Sequence, residues 1–346
     1  MNAEVSRLEL QRRSQATGRP HHLLFVAHQH GGPNEALLRA WTNSYPTVWG
    51  EWGLALHWAL QRVSPPHPHS WDWDHPTWDL LDQTDPPFAL TAAQHFDLNQ
   101  WLGDFQIDPK RFICLHVRDG GFRPTTEHRH SYRNVDIERF DLAVAGLLAR
   151  GFSVVRMGSP SSTPLRLSQP GLIDYAHLPS RTPTLDFALG ATCAFCISTS
   201  SGFDNIPLIF RRPMIFVEHA PWAWIHIYTR RVIERPRRLV DAVTGETLSI
   251  SQALHRGVFA SLTSDGYTQA GVHIAPASSE EIAAAVLEAV DLHLGVATLT
   301  AEEMAQQIEA KRLLTLAGAG LSPPAHVCTV GTISPSFLRS YPEWAS

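Results

Sequence analysis

The run His116, Val117, Arg118, Asp119, Gly120, Gly121 places an imidazole, a guanidinium and a carboxylate at the end of one apolar segment, Phe112 to Leu115. A guanidinium is a planar fork that matches phosphate oxygens, so Arg118 is a candidate for holding a diphosphate. Asp119 and His116 are groups that can take a proton from a hydroxyl. A plain Arg118/Asp119 ion pair at a strand end is the alternative. A second cluster, Ser198, Thr199, Ser200, Ser201 and Gly202, precedes a helical pattern. Small hydroxyl residues and a glycine at a helix amino terminus can gather backbone N–H groups around a phosphate, or can serve only as an ordinary helix cap.

These groups need elements to position them. The run around Ile113 has the apolar continuity of a strand covered on both faces, and in such sheets ligands gather at the carboxyl end. Val135 to Arg150 carries apolar residues at helical spacing, and Phe152 to Gly158 reads as the next strand. Strand, helix, strand at this length predicts a right-handed crossover with parallel strands. Arg156 and Gly158 then reach the same sheet edge as Arg118, and the polar run after Asp119 ends in Tyr132, Arg133 and Asn134. Asp174 and Tyr175 lie in a short predicted strand whose edge could read a nucleotide base. Thr91 with Gln94, Ser278 with Glu281 and Thr300 with Glu303 have the spacing of capping boxes.

Upstream, Leu23 to Ala27 predicts a first strand, followed by a turn containing His28 and His30, with Asn34 as the cap of a helix. The turn lacks the full dinucleotide glycine fingerprint. A helix is expected over about 48–63. Between Pro65 and Asp79, prolines and histidines alternate with Trp71, Trp73 and Trp78, aromatic faces that could stack a sugar ring or simply pack over the domain edge. His67, His69 and His75 suggest a metal, but the prolines forbid the helical spacing that usually fixes ligands. The first 18 residues show no apolar stripe. The arginines between His219 and Val240 read mainly as solvated surface, some of it able to cover a phosphate site.

The 346 residues suffice for two domains of ordinary size, 44% apolar and 18% charged. A formal charge of -5 gives no basic footprint for nucleic acid. No run approaches the roughly 20 apolar residues of a membrane span, and no signal peptide is evident, so a cytoplasmic protein is expected. Cys114, Cys193, Cys196 and Cys328 read as buried thiols rather than a metal or disulfide framework.

Taken in order, His116-Val117-Arg118-Asp119, Arg133-Asn134, Arg156-Met157-Gly158, Ile173 to Ala176 and Ser198 to Gly202 resemble a bacterial family of glycosyltransferases. Leu248 to Leu254, Ser279 to Ile282 and Ile333 to Leu338 extend the resemblance, which covers about residues 88–345. More distantly, the strand ending in His116 and Arg118 is similar to the donor element of GT-B fucosyltransferases, and Ser198 to Pro213 to the donor loop of heptosyltransferases. Asp119 stands where the fucosyltransferases often have a second basic residue.

The resemblance implies an α/β protein of GT-B kind, with two Rossmann-like domains facing across a cleft and C-terminal helices packing back. Its expected divisions are a tail over 1–19, an acceptor-side domain over 20–107, a nucleotide-sugar-binding domain over 108–298, and a helix and tail over 299–346. The implied activity is metal-independent transfer of a sugar from a nucleotide-diphosphate donor to an acceptor hydroxyl. No further cofactor is implied. Arg118, Arg133, Asn134, Arg156, Gly158, Asp174, Tyr175 and Ser198 to Gly202 would bind the donor. Asp119, then His116, then His28 or His30 from the facing domain, would be the base, with Arg118 stabilising the departing diphosphate and Arg133 or Arg156 assisting. His28, His30, Asn34, Trp71 and Trp73 would line the acceptor side. An epimerase or phosphorylase, or a non-catalytic nucleotide-binding protein, is the alternative.

Overall fold

The computed structural model describes residues 2–20, 24–27, 34–63, 80–121, 127–158, 163–322, 327 and 329–346. His28, His30, Trp71, Trp73, the rest of the 65–79 loop and Cys328 lie outside the described residues. The strands are β1 (Phe25–Ala27), β2 (Thr47–Trp49), β3 (Phe112–His116), β4 (Ser153–Met157), β5 (Leu172–Ile173), β6 (Phe195–Ser198), β7 (Met214–His219), β8 (Val232–Pro236), β9 (Arg238–Asp241), β10 (Val272–Ala275) and β11 (Thr332–Ile333).

Seven strands form one parallel sheet in the order β5-β4-β3-β6-β7-β8-β11. From β3 the chain steps outward to β4 and β5, returns to the other side of β3, and proceeds through β6, β7 and β8. That is the doubly wound order, whose crossover direction reverses between β3 and β6. The expected parallel pairing of β3 with β4 is present, with His116 opposite Met157.

The apolar residues alternate between the two faces, as strand geometry requires. Phe112 and Cys114 face one cluster with Cys196, Met214 and Phe216, while Ile113 and Leu115 face another with Ile197, Ile215 and Val217. Leu98, Trp101 and Leu102 of the helix Ala92–Asp104 cover the first face, with Leu185 and Leu189 of Pro183–Thr192 and Ala310 and Leu314 of Ala301–Ala319. The helices Asp141–Ala149 and Ser279–His293 cover the second. All three capping boxes are formed, at Thr91/Gln94, Ser278/Glu281 and Thr300/Glu303. Asn34 caps the helix Glu35–Ser44, its Oδ1 accepting from the Leu37 N–H at 2.8 Å. Cys114, Cys193 and Cys196 are buried free thiols, and burial pushes Cys114 and Cys196 well above the ordinary thiol range.

Two expectations are corrected. The amino-terminal stretch, which reads as a fraying tail or short helix with no apolar stripe needing a partner, is the helix Asn2–Thr17 and does pack, with Val5 and Leu8 buried in the first cluster. Its buried Glu4 pairs with Arg211, which also donates to the Thr84 carbonyl at 3.0 Å. Nor are the arginines after His219 solvated throughout: Arg235 and Arg237 are buried. Outside the main sheet, β1 pairs with β2 in parallel and β9 with β10 antiparallel. Among the described residues no helix is long and apolar enough to cross a membrane.

Candidate functional site

Where the crossover direction reverses, the ends of β3 and β6 are stitched together. His116 lies opposite Ser198 in register, the Thr199 N–H donates to the His116 carbonyl at 3.1 Å, and the Arg118 N–H donates to Thr199 Oγ1 at 2.8 Å. The chain beyond β3 then returns over this edge. Arg118 Nη1 donates to the His130 carbonyl at 3.3 Å and to Asn134 Oδ1, and Arg133 Nη2 donates to the Ser200 carbonyl at 3.0 Å. Arg118, Arg133, Asn134 and the loop after β6 are thus one assembly, half-buried at the crevice where open α/β sheets bind ligands.

The loop after β6 is built differently from a phosphate cradle of converging N–H groups. Thr199 donates to His116, the Ser200 N–H donates to Ser198 Oγ at 3.1 Å, and the Ser201 N–H donates to the Asp204 carboxylate at 2.6 Å. Ser198, Thr199 and Ser200 are buried, and only Ser201 and Gly202 approach the surface. The first three are therefore framework, and of the two readings of this run the helix cap is the one formed, with Ser201 accepting the Phe203 N–H at 3.1 Å. A Cβ on Gly202 would meet nothing within 4 Å, so the backbone borders open space there. Ser200 holds φ at +71°, a left-handed backbone that costs a non-glycine residue of order 1 kcal/mol or more.

Other expected donor groups sit apart from this assembly. Arg156 is buried, with Nη1 donating to the Thr163 carbonyl at 2.7 Å and to Asp174 Oδ1 at 3.2 Å. Asp174 also accepts the Leu165 N–H at 2.9 Å, so the pair ties down the chain beyond β4. A Cβ added at Gly158, which holds φ at +150°, would lie 3.7 Å from the Ala176 methyl. Tyr175 is corrected from a base-reading edge to a core residue. It is fully buried edge-on against Trp101 at 5.3 Å, and its hydroxyl accepts the Thr182 N–H at 3.2 Å.

Among the expected bases, His116 stacks on Phe203 with centroids 5.7 Å apart, and its Nε2 lies 3.5 Å from Ser201 Oγ. Burial lowers its pKa, against the opposing pull of nearby Asp204, so the ring is neutral near pH 7. Asp119 is half-exposed, its Oδ1 accepting the Gly121 N–H at 3.0 Å. Asp204 was not singled out in the sequence, although Ser201-x-x-Asp204 has capping-box spacing. It is buried beside His116, and burial raises its pKa.

The carboxyl end of β7 holds a network absent from the sequence reading. A register shift between Val217 and His219 puts Glu218 at φ +63°. Glu218 is fully buried and accepts Arg235 Nη1 at 2.6 Å, Arg237 Nε at 3.2 Å and the Ala277 N–H at 3.1 Å. Arg237 donates onward to the carbonyls of Tyr132 and, at 2.8 Å, Asn134. The chain segment carrying Arg133 and Asn134 is therefore held from behind by a buried guanidinium.

Next to it, Glu234 on β8 meets two imidazoles. Its Oε1 lies 2.8 Å from His219 Nδ1, and its Oε2 accepts the His226 backbone N–H at 2.5 Å. Burial lowers His219 to about 4, while the two imidazoles outweigh burial and hold Glu234 at about 2. His226 stacks on Phe216 at 4.2 Å, and its Nε2 is 3.4 Å from Ser200 Oγ. This links the β7–β8 edge to the loop after β6. No ligand-like spacing in the sequence announces the trio, because the fold alone joins the three.

No family model matches the chain, and no curated protein matches it. Among solved structures, a glycosyl transferase family 9 protein from Veillonella parvula DSM 2008 is similar. It is 13% identical, with a TM-score of 0.42, over 86% of this chain and 79% of that one. A likeness at that level carries no weight for the site.

Proposed function

We propose that this chain is a glycosyltransferase of GT-B kind, moving a sugar from a nucleotide-diphosphate donor to an acceptor hydroxyl. The observation that carries the reading is the convergence of Arg118, Arg133 and Asn134 on the loop after β6, at the reversal point of a doubly wound sheet. The order of motifs along the chain supports the same class.

As the bond between the anomeric carbon and the phosphate oxygen breaks, negative charge grows on the departing diphosphate. In this reading Arg118 and Arg133 meet that charge; both are held by carbonyls, and Arg118 also by the Asn134 amide, which supports a site needing little reorganisation. The transfer step then draws on guanidinium charge rather than on a metal bridging the phosphates. Gly202 and Ser201 border the open side, where the backbone can approach an anion closely. Asp119 is the base of first choice for the acceptor hydroxyl, being at the strand end and half-exposed. His116 is the second, since a neutral imidazole accepts a proton.

Two measurements test this. A thermal-shift screen with UDP, GDP, dTDP, ADP and CMP, with and without Mg²⁺, should show one diphosphate stabilising the protein independently of magnesium. At about 100 times the dissociation constant the gain is roughly 2.7 kcal/mol. Stabilisation by none of them overturns a nucleotide-diphosphate donor. Product analysis with the matching nucleotide sugar should then show transfer to a hydroxyl; epimerisation or phosphorolysis would assign another reaction class, and binding without turnover a non-catalytic protein.

A further inference from the structure

We propose that His219, His226 and Glu234 form a binding site for a divalent transition metal of the zinc class, seated between the ends of β7 and β8 and the loop after β6. The proposal goes beyond the glycosyltransferase reading and does not depend on it.

Three independent features of the fold converge here. The first is the ligand set. The three side chains offer two imidazole nitrogens and a carboxylate oxygen, all within 4.8 Å of one another, and among the described residues no other His, Cys, Asp and Glu side chains gather this way. Tetrahedral zinc with bonds of about 2.0–2.1 Å to nitrogen and oxygen places its ligand atoms roughly 3.3 Å apart. The separations of Glu234 from His219 Nδ1, 2.8 Å, and from His226 Nδ1, 3.6 Å, bracket that spacing. Imidazole and carboxylate together suit zinc, cobalt or iron, whereas magnesium and calcium prefer oxygen ligands alone.

The second feature is an orphan. His226 Nδ1 is shielded from solvent, lacks a hydrogen-bond partner, and faces Glu234 across the 3.6 Å gap. An unpaired polar atom in such a place calls for a water or an ion. The other ring nitrogen, Nε2, is 3.4 Å from Ser200 Oγ, the outer-shell arrangement that fixes the tautomer and orientation of a metal-bound histidine.

The third is the backbone. Side chains alternate faces along β7, with Met214 and Phe216 on one side and Ile215 and Val217 on the other. The irregularity at Val217/His219, with Glu218 in the left-handed region, breaks that alternation and brings His219 to the side where His226 stacks on Phe216. Bulges of this kind re-aim side chains beside functional sites. Glu218, at the irregularity, is locked by Arg235 and Arg237, so the turn is held in place.

On binding, the hydrogen bond between His219 Nδ1 and Glu234 gives way to two metal bonds, and the His219 ring proton resides on Nε2. The ion's role is positional. It fixes His226 and, through Ser200, the loop that carries Ser201 and Gly202.

The test uses the full chain, dialysed against a chelator and titrated with Co²⁺, whose visible absorption reports imidazole and carboxylate ligation, followed by Zn²⁺ competition. The expected result is one cobalt per chain, displaced by zinc, with chelator lowering the melting temperature of wild type. His226→Ala should lose the band. A combined variant, His67→Ala with His69→Ala and His75→Ala, should keep it, which separates this site from the histidine-rich loop. If Glu234→Gln or His226→Ala folds poorly, X-ray absorption at the zinc edge of wild type decides, two imidazoles and one carboxylate being the expected ligands. Failure of wild type to take up cobalt, or an undiminished band in folded His226→Ala, overturns the proposal.

Discussion

Two charged neighbourhoods share the carboxyl edge of one sheet and are built in opposite ways. After β3 and β6, Arg118, Asp119, Arg133 and Gly202 are half-buried or exposed, and Arg118 and Arg133 donate to the carbonyls of His130 and Ser200. After β7, Glu218, Arg235 and Arg237 are closed on one another, with side-chain exposures of 0%, 3% and 6%. The first arrangement keeps guanidinium groups where an anion can reach them. The second has no such opening, and its direction of action is inward, since Arg237 grips the carbonyls of Tyr132 and Asn134. Buried ion pairs contribute little net stability compared with apolar packing, so their value lies in geometry. In the proposed reading the closed network is the mount and the open one is the working part.

That division can be broken by substitution. Glu218→Ala leaves the buried Arg237 guanidinium without its carboxylate, while Arg235 keeps Glu281 at 2.9 Å, and removing one partner of such a buried pair costs about 3–5 kcal/mol. Urea melts should show a loss of that size, and a loss below about 1 kcal/mol would refute the mounting role. Arg118→Ala should show the inverse profile, a melting temperature near wild type with donor turnover reduced at least about 100-fold, the effect of removing a charge-stabilising donor. Near-normal turnover would remove Arg118 from the diphosphate. Ser200→Gly should relieve the left-handed backbone and change stability by no more than about 1 kcal/mol, because the loss of strain is offset by the freer unfolded chain.

The smallest effect concerns pH. Burial lowers the folded-state pKa of His116, so below the ordinary histidine value of about 6.5 the unfolded chain binds the extra proton. The His116 contribution is complete above that pH and is lost as pH falls through the lowered value. Wild type should therefore lose stability relative to His116→Gln on acidification below about pH 6.5, with no difference in slope above it. A matching slope across pH 4–8 would mean that the ring is not held neutral.

Much of the open region was legible in the sequence. Phe112 to Leu115 is a continuous apolar run because β3 is covered on both faces, and a helix and strand at crossover length follow it. Capping boxes are local chemistry between residues three apart, so Thr91, Ser278 and Thr300 could be read directly. The closed region left no such trace. In β8 the apolar pattern is interrupted by Glu234 and Arg235, which are buried only because partners elsewhere satisfy them. The Arg237 contact to Asn134 spans 103 positions, and the Glu4 pair with Arg211 spans 207. Tyr175 shows the converse failure: a polar-tipped aromatic near a strand end suggested a ligand, whereas its hydroxyl is bonded by the chain at Thr182.

By itself, then, the amino-acid order determined the parallel pairing of β3 with β4, the capping-box helix starts at Thr91, Ser278 and Thr300, the burial of Cys114, Cys193 and Cys196, and the strand end carrying His116, Arg118 and Asp119. All of these follow from interactions within a few residues or from periodicity along one element. Only the tertiary structure decided that β6 lies beside β3, that the amides of Thr199, Ser200 and Ser201 turn inward, that Glu218 meets Arg235 and Arg237, and that His219, His226 and Glu234 come together. A charge can be buried wherever a distant partner meets it, and sequence spacing carries no record of which partner that will be.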